Sequence, residues 1–202
     1  MTDETFPFQN PLQSNRRALL RISVLVEGGM LLAAIVLGLL LGVPYWMSAR
    51  LDWASVAAGI AAGIVMLVVA AIFTESRLPF AVQMRRDMDR LVGLFRGATP
   101  MDFLFISLLA GAGEEAFFRG LLQTGLDAYL GLPLAITLSA LAFGLVHFIS
   151  RSYIAFAAVL GILFSGLYVW SGNIVVPMLA HATYDFIALC YVRRGASVSR
   201  KE

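Results

Sequence analysis

Residues 111–122 read GAGEEAFFRGLL. Two adjacent carboxylates, Glu114 and Glu115, and the guanidinium of Arg119 stand inside a run that is otherwise apolar. With its flanks, that run (101–124) is long enough to cross about 30 Å of hydrocarbon as a helix. A charge at membrane depth costs about 2.5–3.5 kcal/mol on insertion scales. Three charges within six positions therefore call for partners elsewhere in the chain.

The rest of the sequence makes the membrane reading firm. Its 202 residues are 59% hydrophobic and 14% charged, with a mean hydropathy of +0.82. Soluble domains are about 45–50% apolar and about 25% charged. A soluble chain of this size could not cover so much apolar surface, so the fold expected is all-α, a polytopic transmembrane bundle forming one membrane domain over 1–202. Six apolar segments mark about six spans, near 18–42, 54–74, 101–124, 132–150, 153–171 and 173–192. The first greatly exceeds the roughly 7–15 apolar residues of a signal-peptide core and is expected to be an uncleaved span. The third opens with Thr99 as N-cap, Pro100 at the first helical position and Asp102 in the first turn. GLP (131–133) and SGN (171–173) read as tight turns. Cys190 is the single cysteine, which excludes an intrachain disulfide and a thiolate metal cluster.

Positive charge orients the bundle. Arg16, Arg17 and Arg21 precede span one, and Arg77, Arg85, Arg86, Arg90 and Arg96 separate spans two and three. Arg151 separates four and five, and Arg193, Arg194, Arg200 and Lys201 follow six. The alternate connections hold only Arg50. Both termini are therefore expected in the cytoplasm of a multi-pass plasma-membrane protein. Residues 77–95 mix basic and apolar side chains at near-helical spacing, which suits either an interfacial helix or a solvated basic connection. Nothing in the charge pattern points to nucleic acid.

The ionisable residues within the spans are Glu27, Glu114, Glu115, Arg119, His147, His181 and Asp185, including both histidines of the chain. Such residues mark function by default. Glu115 and Arg119 stand four apart on one helical face and read as a structural ion pair. Glu114, turned about 100° from Glu115, points elsewhere in the bundle. His181 and Asp185 are also four apart. At 1.5 Å per residue, Glu114 lies about 27 Å along its helix from Arg96, and His181 about 18 Å from Arg193. His147 lies only about 6 Å from Arg151, so a tilt or an overhanging helix end would have to bring it to the others. A carboxylate beside two imidazoles in a low-dielectric cavity suits water activation, with Glu114 as general base. The same groups, Glu114, His147 and His181, could instead hold a divalent metal such as zinc whose water is the nucleophile. The pattern has no H-E-x-x-H and no G-x-S-x-G.

Three motifs resemble the CAAX-protease and bacteriocin-processing (CPBP, or Abi) family of intramembrane endopeptidases. They are EEAFFR (114–119) followed by Gly120, FGLVH (143–147), and HATYD (181–185) with Pro177 upstream. Each alone is common, but together they follow the family's order and spacing over about 99–192, the CPBP-like core. The resemblance implies a helical bundle with its site in the last four spans, recessed from the cytoplasmic face. It implies peptide-bond hydrolysis, with Glu114 and His147 activating water and with His181 and Asp185 orienting substrate or stabilising the oxyanion. Prenyl-protein members carry asparagine where this chain has Asp185. An ionised aspartate cannot donate a hydrogen bond, so it would orient His181 or bind metal. Metal-free general-base catalysis is the slightly favoured of the two chemistries.

The partners implied are the lipid bilayer and a protein or peptide substrate at the membrane, not nucleic acid. A proton-coupled transporter would show inverted repeats and matching broken helices, and neither is visible. A non-enzymatic immunity or scaffold protein has no use for Glu114, His147 and His181 together. Glu27 reads equally as a supporting partner of the site or as a helix-contact residue.

Overall fold

The computed structural model describes residues 11–92, 95 and 97–198, which hold helices and turns and no strand. Of the residues used to orient the chain, Arg96, Arg200 and Lys201 lie outside the described ones. The helices are α1 (Pro11–Leu41), α2 (Trp53–Glu75), α3 (Pro79–Val92), α4 (Pro100–Glu115), α5 (Thr124–Leu130), α6 (Leu132–Val146), α7 (Arg151–Ser171) and α8 (Val175–Val198). By length and composition, three stretches could cross a membrane unaided: Arg16–Leu41, Trp53–Glu75 and Arg151–Ser171. Leu132–Val146 and Val175–Tyr191 are shorter apolar helices. Large apolar side chains such as Leu40, Val65, Ile72, Leu145 and Trp170 point outward, as suits a hydrocarbon solvent.

The start of α4 follows the sequence. Thr99 and Asp102 form a reciprocal capping box, with Thr99 N donating to Asp102 Oδ2 at 2.7 Å and Asp102 N donating to Thr99 Oγ1 at 3.2 Å. Asp102 also accepts both Nε and Nη2 of Arg16, at 2.8 and 2.9 Å, which pins α1 to α4. The expected turns are closed by Gly131 (φ +78°) and Gly172 (φ +56°), left-handed positions that favour glycine.

Two expectations are corrected. Segment 101–124 is not one regular helix: α4 ends at Glu115, and Ala116–Gln123 widens into π-helical turns before α5 resumes. In a π turn the backbone bonds reach one residue further than in an α-helix. Side chains serve the carbonyls of this stretch: Ser139 Oγ donates to Phe118 O at 2.7 Å and Thr124 Oγ1 to Arg119 O at 3.0 Å. The second correction concerns 132–150. α6 stops at Val146, because His147 leaves the helical conformation (φ −90°, ψ 34°) and Ser150 already caps α7. Fifteen residues rise only about 22 Å, less than the hydrocarbon thickness.

α8 packs against both α2 and α4, α6 against α7, and α1 against α4 and the π turns. Met66, Phe118, Phe143, Ala157, Phe164 and Ala180 form the core between them. Of the two readings of 77–95, the helical one holds over Pro79–Val92. Ala81, Met84 and Asp87 are buried there, and α3 packs against α2, α7 and α8.

Candidate active site

The turn at Gly131 sets the register of the site. Glu114 lies 17 residues before it and His147 16 residues after it, so in an antiparallel hairpin the two reach the same height. His147 Nε2 stands 3.5 Å from Glu114 Oε2. The apparent mismatch in depth vanishes once distance is counted from the turn rather than from Arg151. The end of α6 is what brings the imidazole in.

The tautomer of His147 follows from its other nitrogen. Nδ1 lies 2.7 Å from Phe143 O, and a carbonyl only accepts, so Nδ1 carries the hydrogen and Nε2 of the neutral ring is an acceptor. It faces Glu114 Oε2, which is buried and has no hydrogen-bond partner among the described residues. Two acceptors thus confront each other across 3.5 Å.

Glu115 does more than neutralise Arg119. Its Oε1 accepts Arg119 Nη1 at 3.1 Å and also stands 2.8 Å from His181 Nδ1. Glu115 and Arg119 are fully buried. Arg119 Nη2 donates to Gly161 O on α7 at 2.9 Å. On the other side of the ring, His181 Nε2 lies 3.3 Å from Asp185 Oδ2, and Asp185 is 31% exposed in its side chain. Both nitrogens of His181 therefore point at carboxylate oxygens, an arrangement completed when both carry hydrogen. Glu114, His147, Glu115, Arg119, His181 and Asp185 are thus one cluster, split into a Glu114–His147 pair and an Arg119–Glu115–His181–Asp185 chain.

Aromatic rings wall this cluster. Phe164 stacks on His181 at 4.7 Å between centroids, and Phe143 lies 4.5 Å from the His147 ring. The Arg119 guanidinium sits 4.4 Å above the Phe143 centroid, within cation–π range. This gives the F-x-x-x-H spacing a physical meaning: Phe143 supplies the carbonyl that fixes the His147 tautomer and the ring that separates His147 from Arg119.

Glu27 of α1 also reaches the cluster. Its Oε2 is buried without a hydrogen-bond partner among the described residues. Gly113 makes this approach possible, since a Cβ there would collide with the carbonyl oxygen of Glu27. The sequence left Glu27 undecided, and the one available signal was its ionisable character within a span. Phe164 and the Gly161 carbonyl carried no signal, because apolar residues and backbone groups look alike throughout such a helix.

The donors available do not fit a divalent ion such as zinc. His181 spends both nitrogens on Glu115 and Asp185, which leaves Nε2 of His147 as the one open imidazole nitrogen of the cluster. Among the described residues no three His, Cys, Asp or Glu side chains are grouped as metal ligands.

The fold is compatible with a helical membrane bundle that carries a carboxylate–imidazole cluster among its last helices. Residues 96–187 match the family model described as type II CAAX prenyl endopeptidase Rce1-like, consistent with the CPBP family. Together with the apolar helices, this match is in keeping with an integral membrane protein. The chain is also 38% identical over 93 residues to a Bacillus subtilis (strain 168) protein described as uncharacterized protein YpbD. That match covers 45% of this chain and 45% of the relative, so the chain spans about half the length of the curated relative it matches. No solved structure matches.

Proposed function

We propose that the chain is a membrane-embedded endopeptidase that hydrolyses a peptide bond of a membrane-associated or lipid-modified protein, using water activated between Glu114 and His147. The carrying observation is the pair of facing acceptors, Glu114 Oε2 and His147 Nε2, 3.5 Å apart. A water that donates one hydrogen to each satisfies both and directs its remaining lone pairs outward. As its oxygen attacks the carbonyl carbon, Glu114 takes the proton and the carbonyl electron pair moves onto oxygen. When the tetrahedral intermediate collapses, the C–N bond breaks and the amine leaves with the proton from Glu114. Such general acid–base help is worth about 10²–10⁴-fold.

His181, held between Glu115 and Asp185 with Arg119 behind, contributes positive potential on the side where the oxyanion develops. Asp185 only accepts, so its role is to orient His181 rather than to bind the oxyanion. The chemistry is metal-free, since both nitrogens of His181 are committed to other partners and His147 Nε2 is the one imidazole nitrogen left open. The arginine distribution supports a plasma-membrane protein with both termini and the mouth of the site toward the cytoplasm.

Comparative membrane proteomics of cells carrying the wild type or Glu114→Gln tests the reading. New protein termini present with the wild type and missing with the variant are the expected result. Identical terminus profiles, with both proteins equally abundant, would overturn it.

A further inference from the structure

α3 carries a buried acid that the site described above does not use. Ala81, Met84 and Asp87 recur at every third position and are all buried, so the inward face of this helix includes a carboxylate. Burying a carboxylate is costly unless it is hydrogen-bonded. Asp87 Oδ2 accepts the hydroxyl of Ser150, 63 residues further along the chain. Its Oδ1 accepts Gln83 Nε2 at 3.0 Å. The same Ser150 oxygen accepts Tyr153 N at 3.1 Å as the N-cap of α7. With its hydrogen on Asp87 and a lone pair on the Tyr153 N–H, this hydroxyl is fixed from two sides.

Ser150 closes the turn that His147 opens. α6 ends at Val146, and His147 N makes its last bond back to Gly144 O at 3.2 Å. Between His147 and Ser150, Phe148 is 73% exposed and Ile149 37% exposed. The side chains of the turn therefore bury little that could hold it against the bundle. Its position depends on its two ends.

We propose that Asp87 is a positioning residue: its bond to Ser150 anchors the 147–150 turn and so sets how far His147 Nε2 stands from Glu114 Oε2. Asp87 touches no reacting atom and neither gives nor takes a proton in the cycle. Without the bond Ser150 still caps α7, but the turn loses its tie to α3 and His147 is held less closely. A misplacement of about 1 Å by a change remote from the chemistry costs about 10²-fold in rate. This inference rests on the endopeptidase reading above and assigns α3 a part in that site.

The test compares Asp87→Asn, which keeps an acceptor for the Ser150 hydroxyl, with Asp87→Leu, which has a similar shape and no acceptor. Full-length protein in detergent is assayed with a fluorogenic peptide bearing a farnesylated C-terminal CAAX sequence, well below the melting point of every variant. The amide oxygen of asparagine still accepts, so Asp87→Asn should stay within about threefold of wild-type kcat. Asp87→Leu should fall about 10–100-fold in kcat with KM unchanged, as a displaced catalytic group requires. Ser150→Gly breaks the same link from the other end at a small capping cost. Its loss should not add to that of Asp87→Leu, because the two variants remove one shared bond. If Asp87→Leu does not fold, Ser150→Gly against Ser150→Thr, which keeps the hydroxyl, carries the comparison. A purely packing role would change melting and leave kcat alike across the pair, and equal kcat values overturn the proposal. Hydrogen exchange at the backbone amides of 147–153 needs no turnover: it should quicken in Asp87→Leu and stay near wild type in Asp87→Asn. If the wild type does not cleave the peptide while exchange changes as expected, the choice of substrate or the hydrolytic reading fails and the anchoring of the turn stands. If exchange there is the same in all three proteins, the proposal fails whatever the activity.

Discussion

Glu115 Oε1 is shared by two nitrogen partners, Arg119 Nη1 at 3.1 Å and His181 Nδ1 at 2.8 Å. One buried oxygen thereby joins the helix carrying the acidic pair to α8. The two adjacent glutamates point in different directions: Glu115 faces Arg119 and His181, and Glu114 faces Nε2 of His147.

Glu115→Gln strands a buried guanidinium and removes an anchor from His181. Breaking a buried ion pair by removing one partner costs about 3–5 kcal/mol. Denaturation in detergent should show a loss of that order. The double variant Glu115→Gln, Arg119→Met should recover part of it, because no uncompensated charge is left inside. Additive losses in the double variant would mean that Arg119 does not depend on Glu115.

Glu114→Gln should behave differently. The amide keeps the shape of the side chain but cannot take a proton from water, so cleavage should drop by at least about 10²-fold, while melting stays near wild type. His147→Ala should lose activity to a comparable degree. A Glu114→Gln protein that cleaves normally would move the general base elsewhere.

Much of this was legible before any coordinates. The six apolar segments, the Thr99–Asp102 cap and the turns at Gly131 and Gly172 all follow from local chemistry that acts within a few residues. The meeting of Glu114 and His147 was legible too, by counting outward from Gly131, but counting from Arg151 hid it because that assumes a helix through residue 150. The π turns at Ala116–Gln123 were not legible. They depend on Ser139, 21 residues away, whose hydroxyl serves the Phe118 carbonyl. Nor could the sequence assign Glu115 to His181, since a spacing of four within one helix named Arg119 as partner and said nothing of α8.

Ser139→Ala tests the π turns. Ser139 is fully buried, and without its hydroxyl the Phe118 carbonyl is left unpaired at a cost of about 1–3 kcal/mol. The stability loss should come with reduced cleavage, because Arg119 is the residue that follows Phe118. Restoring the hydroxyl as threonine should recover more stability than valine of nearly the same shape. Equal melting of the threonine and valine variants would show that the hydrogen bond contributes nothing.

Orientation can be read with a membrane-impermeant thiol reagent in a Cys190→Ser background. Arg86→Cys lies at an exposed position of α3 and Tyr129→Cys at the exposed end of α5. Intact cells should label the position-129 variant, and the position-86 variant should label only after permeabilisation. The reverse pattern would invert the bundle and turn the mouth of the site away from the cytoplasm.

Chelation separates the two chemistries that the motif spacing left open. A metal-bound water needs several donors aimed at one point. Here His181 is committed on both sides, to Glu115 and to Asp185, and the end of α6 holds His147 with Nδ1 on Phe143 O. That leaves Glu114 Oε2 and His147 Nε2 as the pair open to a water, and two donors of that kind suit a hydrogen-bonded nucleophile better than a tetrahedral ion. Purified protein should therefore keep its activity in a strong chelator and contain well under one equivalent of zinc. Asp185→Asn adds a second arm, because asparagine can still accept from His181 but is a poor metal ligand. Cleavage within about tenfold of wild type is expected if Asp185 only orients the ring. Stoichiometric zinc, lost together with activity in chelator and regained with added metal, would replace the Glu114–His147 water with a metal-bound one.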